Sequence, residues 1–371
     1  MDAIRVKNLL GLTCKELEEL AIAYRQPRYR GGQLYHAIYV RHRADFDDLT
    51  DLDKSFRLRL SNDCKIQHPS IESRFESRDG AVRYLLALED KQTIEAVYMP
   101  EEDRKTLCLS SQAGCAVDCH FCFTALLGLK RNLTAGEIIG QVIAILMEHQ
   151  LSARSRVNVV FMGMGEPLLN FASVLKSIRL LTDTDGLAIP WRRITLSTVG
   201  IVPGIEKLGS EAERPKLAIS LNASTDEQRS TLMPVNRKYP LADLLAACRS
   251  YPLRPRERLT FEYVMIEGFN DSPEDARRVV KLLKGLRAKV NLIPYNPGPE
   301  MPYHPPPFAR VLAFQKVLTE RELPAFIRIS RGQDVRAACG QLSLASRGAQ
   351  DHLTPITSHG MPVRRLRDEC R

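Results

Sequence analysis

The chain has 371 residues, 44% of them hydrophobic and 26% charged, which is ordinary for a globular protein. That length suits one large α/β domain with a smaller companion. No apolar run reaches the roughly 20 residues of a membrane helix. The N-terminus also lacks the pattern of a signal peptide. We therefore expect a cytoplasmic protein without a membrane anchor, in which the nine cysteines are free, metal-bound or catalytic.

The formal net charge of +9 at pH 7 favours a polyanionic partner such as RNA. Residues 24–43 contain no acid and interleave basic with aromatic side chains: Arg25, Arg28, Arg30, Arg41 and Arg43 with Tyr24, Tyr29, Tyr35 and Tyr39. Arginine binds phosphate and tyrosine can stack on bases, which predicts an RNA contact. A solvated basic helix face over core aromatics is the alternative.

The N-terminal part, residues 1–75, is predicted to be a helical accessory domain that binds RNA. Helices are expected at 15–24 and 30–42, and two short helices within 45–62, with Thr50 and Asp51 as capping residues. Residues 76–105 change to a strand-like pattern, with strands at 81–89 and 93–100, and form a β-rich connector.

From residue 106 to 342, strands and helices alternate. The strand candidates are 106–112, 157–163, 193–200, 216–223, 258–266 and 289–296, with helical patterns such as 135–149, 241–251 and 273–286 between them. This alternation predicts parallel strands with right-handed crossovers. Six units are too few for an eight-stranded barrel, so we expect an α/β fold that is a partial (βα)6 TIM-like barrel. A helix at 308–323 and a strand at 325–332 close it, and residues 343–371 form a tail.

Three cysteines in the run GCAVDCHFC, Cys115, Cys119 and Cys122, carry the chemistry. Their C-x3-C-x2-C spacing lets three thiolates hold three irons of a four-iron cluster and leave the fourth iron open. Thiolates suit zinc as well, with His120 or a distant residue as fourth ligand. Unrelated buried thiols are the third possibility.

Short polar and glycine-rich motifs follow the predicted strands: GMGEPLLN (163–170), STVG (197–200), SLNAS (220–224) and PYNPG (294–298). In parallel α/β folds the working residues gather at the carboxyl ends of the strands. Together with the cysteine loop, these endings predict one site on one rim.

Several longer motifs point to one particular protein family. They are IEAVYMPEEDRKTLCLSSQAGC (94–115), CHFC (119–122), GMGEPLLN, LMPVNRKYPL (232–241) and RGQDVRAACGQL (331–342). From about residue 15 to about residue 345, the chain resembles the RlmN-type radical S-adenosylmethionine (SAM) RNA methyltransferases, which are similar to the Cfr type. The resemblance implies a radical SAM barrel with one [4Fe-4S] cluster on Cys115, Cys119 and Cys122.

The resemblance also implies a SAM pocket, formed by Gly165, Glu166, Ser197, Ser220, Leu221, Asn222 and Asn296. Position 222 is often histidine in this family. Asparagine keeps a hydrogen-bond donor and an acceptor, but the resemblance supports its contact with SAM less strongly than the other contacts.

Three further residues receive catalytic roles by the same resemblance. Cys339 is expected to be methylated by one SAM, and a second SAM supplies the radical that takes hydrogen from that methyl group. The carbon then adds to adenine, Cys108 attacks the sulfur of Cys339 to release the product, and Glu95 removes the ring proton. The alternatives from the residues alone are buried thiols and a solvated strand glutamate.

The expected reaction is methylation of C2 of adenine in 23S rRNA and in tRNA, by a monomer that receives electrons from a donor such as flavodoxin. C8 methylation of the same base, as in the Cfr type, and a zinc-stabilised RNA-binding protein remain alternatives.

Overall fold

A computed structural model describes residues 6–151, 155–298 and 301–343. Its N-terminal region contains two short paired strands and three helices: β1 (Lys7–Asn8), α1 (Cys14–Ala23), α2 (Tyr29–Tyr39), α3 (Lys54–Asp63) and β2 (Cys64–Lys65). A capping box between Thr13 and Glu16 starts α1. The helical prediction is confirmed, but the predicted caps at Thr50 and Asp51 are wrong. Asp45 instead caps a 3-10 turn and Asp53 caps α3, because their carboxylates accept the free amides.

The next strands build a single ten-stranded sheet with the rest of the chain. They are β3 (Ser70–Glu76), β4 (Val82–Ala87), β5 (Thr93–Pro100), β6 (Lys105–Cys108), β9 (Val157–Phe161), β10 (Ile194–Thr198), β11 (Lys216–Ser220), β12 (Leu259–Met265), β13 (Ala288–Pro294) and β14 (Ala325–Ile327). The spatial order is β14-β13-β12-β11-β10-β9-β6-β5-β4-β3. Within this sheet, β6 and β9 to β14 are parallel, and β5, β4 and β3 extend it in antiparallel fashion.

Helices connect the parallel strands: α4 (Ala135–Glu148), α5 (Phe171–Thr182), α6 (Val202–Ser210), α7 (Asp226–Leu232), α8 (Leu241–Ser250), α9 (Pro273–Leu283) and α10 (Phe308–Thr319). The first of them is mostly buried, which suits its nearly continuous apolar sequence. The fold class is therefore as expected, a mixed α/β fold with a parallel-rich sheet and a small helical N-terminal region. None of the described helices is long and apolar enough to span a bilayer.

The predicted strand 106–112 is two strands. Its first three residues belong to β6 of the large sheet, residues 109–111 lie outside both strands, and its last residue starts β7 (Gln112–Gly114), which pairs with β8 (Leu129–Asn132) in a separate ladder. The strand β3 was not predicted, because its alternation is weak: only Phe75 of its seven residues is buried.

Side chains from six neighbouring parallel strands, β6 and β9 to β13, line a common interior space. A flat sheet cannot bring side chains of its first and sixth strands together, so the sheet curls around this space. The curl creates two joined cavities. The upper cavity lies at the carboxyl ends of the strands, and the lower cavity lies beside their first halves.

Candidate active site

The cysteine loop is clamped at its base by the β7–β8 ladder. The three thiols of Cys115, Cys119 and Cys122 all line the upper cavity, whose volume is about 160 Å³. Asp118, between the first two, has φ +56°, a left-handed conformation that aspartate tolerates better than most residues. The loop thus turns back on itself and presents its cysteines to one space.

Burial is the main influence on these thiols. It raises the pKa of Cys115 to about 11 and the pKa values of Cys119 and Cys122 above the ordinary thiol value, because a buried thiolate lacks water. Backbone amides of Thr124 and Ala125 face the sulfur of Cys122 and act in the opposite direction. A bound metal reverses this situation, since thiols deprotonate on coordination.

The donor set fits a [4Fe-4S] cluster better than a zinc ion. The His120 imidazole is 45% exposed, faces Asp118 at 4.0 Å and does not line the cavity, so it does not supply a fourth ligand. Within the described ranges, no three ligating side chains gather around one point, as a single ion would need. A cluster instead gives each thiolate its own iron.

Glu166 is the acidic group of the upper cavity. Its side chain is 2% exposed, and its two carboxylate oxygens accept the amides of Leu168 at 3.0 Å and Val199 at 2.8 Å. Burial raises its pKa to about 7, and these hydrogen bonds act against that rise. Gly165, at φ +96°, is packed so closely on Gln112 that a Cβ atom would lie 2.5 Å from it, so only glycine fits here.

Four more of the predicted SAM residues line the upper cavity, namely Ser197, Ser220, Asn222 and Asn296. Leu221 does not: its side chain is fully buried in the hydrophobic core. The amide of Asn222 is already engaged, because it donates to the sulfur of Met233 at 3.4 Å and accepts the amide of Val264 at 2.9 Å. Its φ of +55° also suits asparagine.

Arg229 holds the ends of two strands in place, and the sequence analysis did not identify it. Its guanidinium is fully buried and donates to the carbonyls of Val199, Ser220 and Leu221. It also donates to Asn236 at 2.9 Å. A lone arginine in a short amphipathic helix gives no signal, because only the tertiary fold brings these carbonyls to it.

The lower cavity has a volume of about 470 Å³ and contains both predicted catalytic thiols, Cys108 and Cys339. The two cavities share Met162, Glu262, Ile293 and Cys339, so Cys339 stands at their junction.

Both thiols are protonated at neutral pH. Burial raises the pKa of Cys108 far above its ordinary value and raises that of Cys339 to about 11, with the Glu262 carboxylate adding to the latter. Cys339 is exposed where it faces the two cavities. Glu262 was also missed, although a charged residue inside the apolar strand 258–266 was a usable signal.

The segment that carries Cys339 is fastened to the cysteine loop. Phe123 donates its amide to the carbonyl of Gly340 at 2.8 Å, and the Thr124 hydroxyl donates to the carbonyl of Leu342 at 2.7 Å. From the loop that follows β13, the side-chain amide of Asn296 donates to the Cys339 carbonyl at 3.1 Å. These bonds position the thiol over both cavities.

Glu95 lies apart from this group. It is fully buried on β5, forms an ion pair with the fully buried Arg83, and lines neither cavity. The Ser110 hydroxyl donates to its carbonyl at 2.5 Å. Its role as a base stays a prediction, and that role requires the ion pair to open.

The N-terminal tyrosines mostly belong to the core. Tyr35 and Tyr39 are buried, and their hydroxyls donate to Asp183 and to the carbonyl of Leu12. Tyr24 donates to Asp63, and only Tyr29, at 58% exposure, is open to a partner. The alternative of core aromatics therefore holds for most of this segment.

Comparisons with known proteins agree with this geometry. The model of the Radical SAM superfamily matches residues 109–282. The crystal structure of a radical SAM methyltransferase from Sphaerobacter thermophilus superposes with a TM-score of 0.87 at 43% identity, covering 91% of this chain and 99% of that one. Fold and site thus define a radical SAM enzyme, a class that uses a [4Fe-4S] cluster and SAM.

The N-terminal region narrows the class. The model "Ribosomal RNA large subunit methyltransferase N-terminal domain" matches residues 7–66. "Probable dual-specificity RNA methyltransferase RlmN" of Koribacter versatilis is 52% identical, covering 85% of this chain and 96% of its own length. "Dual-specificity RNA methyltransferase RlmN" of Syntrophobacter fumaroxidans is 46% identical over 92% and 98%. The chain belongs to the RlmN family of SAM-dependent enzymes.

Proposed function

We propose that this enzyme methylates C2 of adenine in 23S rRNA and tRNA through a methyl group carried on Cys339. The observation that carries the proposal is the position of Cys339 at the junction of two cavities, with Cys108 in the lower one. The names of the relatives support an RNA substrate. The paired thiols support a covalent carrier.

The first step is a displacement at Cys339. Its sulfur takes the methyl group of one SAM, the C–S bond of the sulfonium breaks, and the thiol proton leaves. Because burial holds the pKa of this thiol at about 11, a nearby acceptor must receive that proton. Glu262, which lines both cavities beside Cys339, is suited to this role.

The later steps require a hydrogen to be removed from the S-methyl group, and the cluster, when bound, supplies the electron that cleaves a second SAM for this purpose. Cys115, Cys119 and Cys122 would hold the cluster. Glu166 and the neighbouring strand ends would orient SAM. The S-bound carbon would form a C–C bond with C2 of adenine, and the ring would lose the C2 proton, for which Glu95 is the predicted base, together with one electron, which the cluster, when bound, could take back. Cys108 would then attack the sulfur of Cys339, forming an S–S bond while the carbon leaves with the electron pair of its C–S bond and takes up a proton to become the methyl group. A thiol reductant or electron donor restores both cysteines.

The test is the product itself. Cluster-reconstituted enzyme is incubated with SAM, a reductant and an RNA transcript, and the nucleosides are analysed by liquid chromatography and mass spectrometry. We expect 2-methyladenosine. 8-Methyladenosine would show that the position is wrong, and unmethylated RNA with intact SAM cleavage would refute the RNA substrate.

A further inference from the structure

The mouth of the lower cavity carries cations without an ion-pair partner, although the Glu262 carboxylate of the same cavity attracts Lys289 and Arg328 from beyond ion-pair distance. Arg192, Lys216 and Lys289 line it and form no ion pair with any described residue. Arg192 and Lys216 are exposed, and Lys289 is half-buried. Arg328, on the same cavity, donates only to the neutral amide of Asn291 at 3.0 Å.

The strand register explains how these cations meet. Lys216 is the first residue of β11 and is paired with Thr195, and Lys289 stands near the start of β13 opposite Thr260. Both lysines therefore lie at the amino ends of the strands, opposite the cysteine loop. Burial lowers the pKa of Lys289, the charges of Arg328 and Lys216 lower it further, and the Glu262 carboxylate acts in the opposite direction. Repelling cations at an open mouth indicate a site for an anion.

Two other basic residues of this cavity have acidic partners, whereas Arg193 forms no ion pair with any described residue. Arg104 pairs with Glu101 at 2.7 Å, and Arg331 lies 3.7 Å from Asp79. The free cations are thus a distinct subset of the mouth.

The N-terminal basic segment, which the sequence favours for RNA, is largely paired. Arg28 contacts Glu18 at 2.7 Å, and Arg41 contacts Asp51 at 2.8 Å. Arg43 lies 3.6 Å from Asp48. Although residues 24–43 contain no acid, acids from elsewhere in the N-terminal region form ion pairs with these arginines in the folded protein.

We propose that RNA enters the barrel through this lower mouth, with the phosphates beside the target adenine bound by Arg192, Lys216 and Lys289. The base then points inward to Cys108 and Cys339, at the end of the same cavity. A cavity of about 470 Å³ is within the usual range for a small ligand, which suits one inserted nucleotide. The partner's identity as RNA rests on the proposed function; the site of entry rests on the cations.

The experiment measures binding of a fluorescent RNA hairpin by the full chain across a series of salt concentrations. Lys216→Ala with Lys289→Ala should lower the slope of log affinity against log salt by about 0.7–0.9 for each lysine, because each phosphate contact releases counter-ions. Lys216→Arg with Lys289→Arg should retain the slope. The matched control, Lys281→Ala with Lys284→Ala, removes the same charge from exposed positions at the end of α9 and should leave the slope unchanged.

A third double variant, Arg28→Ala with Arg30→Ala, tests the N-terminal segment directly. If that variant lowers the slope and the lower-mouth variant does not, the entry site is wrong. An equal slope in the wild type and in Lys216→Ala with Lys289→Ala also overturns the proposed entry site. Formation of 2-methyladenosine by the wild type is measured in parallel, so that loss of the entry site is separated from failure of the proposed function.

Discussion

Cys108 and Cys339 line one cavity, although they come from the first parallel strand and from the segment after the last one. Burial keeps both thiols protonated at neutral pH, which prevents a premature disulfide. Their shared cavity suits an exchange that starts only after one sulfur has been modified.

Replacing Cys108 should separate attachment from release. In Cys108→Ala the methyl carrier still works, so RNA should accumulate as a covalent adduct on Cys339 with less than a tenth of normal product. Denaturing electrophoresis with labelled RNA measures the adduct. Cys248→Ala, which removes a buried thiol of α8 that lines neither cavity, should behave as the wild type. Normal turnover in Cys108→Ala would exclude the assigned role.

Replacing Cys339, the proposed methyl carrier, should stop the reaction before RNA becomes attached to the protein. Cys339→Ala should give neither methylated RNA nor an adduct, while the cluster cysteines remain intact and SAM is still cleaved under reduction. Release of 5′-deoxyadenosine measures the cleavage, and mass spectrometry of tryptic peptides measures the methyl group on residue 339. Methylated RNA from this variant would place the carrier elsewhere.

The buried carboxyl of Glu166 predicts a pH effect on stability. Its pKa is raised to about 7 in the fold, so folding takes up a proton, and the stabilisation present at low pH is lost as pH rises through 7. Relative to Glu166→Gln, the cluster-free wild type should lose about 2 kcal/mol of unfolding free energy between pH 5.5 and pH 8. Urea unfolding of both proteins measures this difference. A difference that is independent of pH would contradict the raised pKa.

Arg229 should matter for both stability and SAM binding. In Arg229→Gln the carbonyls of Val199, Ser220 and Leu221 lose a buried donor, which should cost about 3 kcal/mol of unfolding free energy. Because those carbonyls belong to the strand ends at the upper cavity, SAM affinity should fall at least tenfold. Urea unfolding and calorimetric SAM titration measure the two effects. Arg249→Gln, at an exposed position of α8, should change neither.

The sequence predicted the parallel strands well because their apolar runs are bounded by glycine and polar residues. It also predicted that the cysteine loop and the strand endings share one rim, and those residues do line one cavity. The prediction from sequence failed where the local residue pattern differs from the strand pairing in the folded protein. TLCLSSQ has the pattern of one strand, yet the chain leaves the large sheet after Cys108. No residue type in this run indicates that the strand ends there.

The sequence also failed to predict which charged residues form ion pairs. The acids that neutralise the N-terminal arginines lie outside residues 24–43, so a local charge count cannot reveal them. The unpaired lysines of the lower mouth are separated along the chain by α7, α8, β12 and α9. Only the curl of the sheet brings them together.

The hydrogen bonds between residues 123–124 and 340–342 also set an order of assembly. A ribosome releases the cysteine loop long before it translates the segment that lies over it. Iron and sulfide therefore have free access to the thiols of a nascent chain. Once translation ends, a chain that has folded empty holds this segment hydrogen-bonded to the loop, so cluster insertion then meets a loop that is less free to move than in the nascent chain.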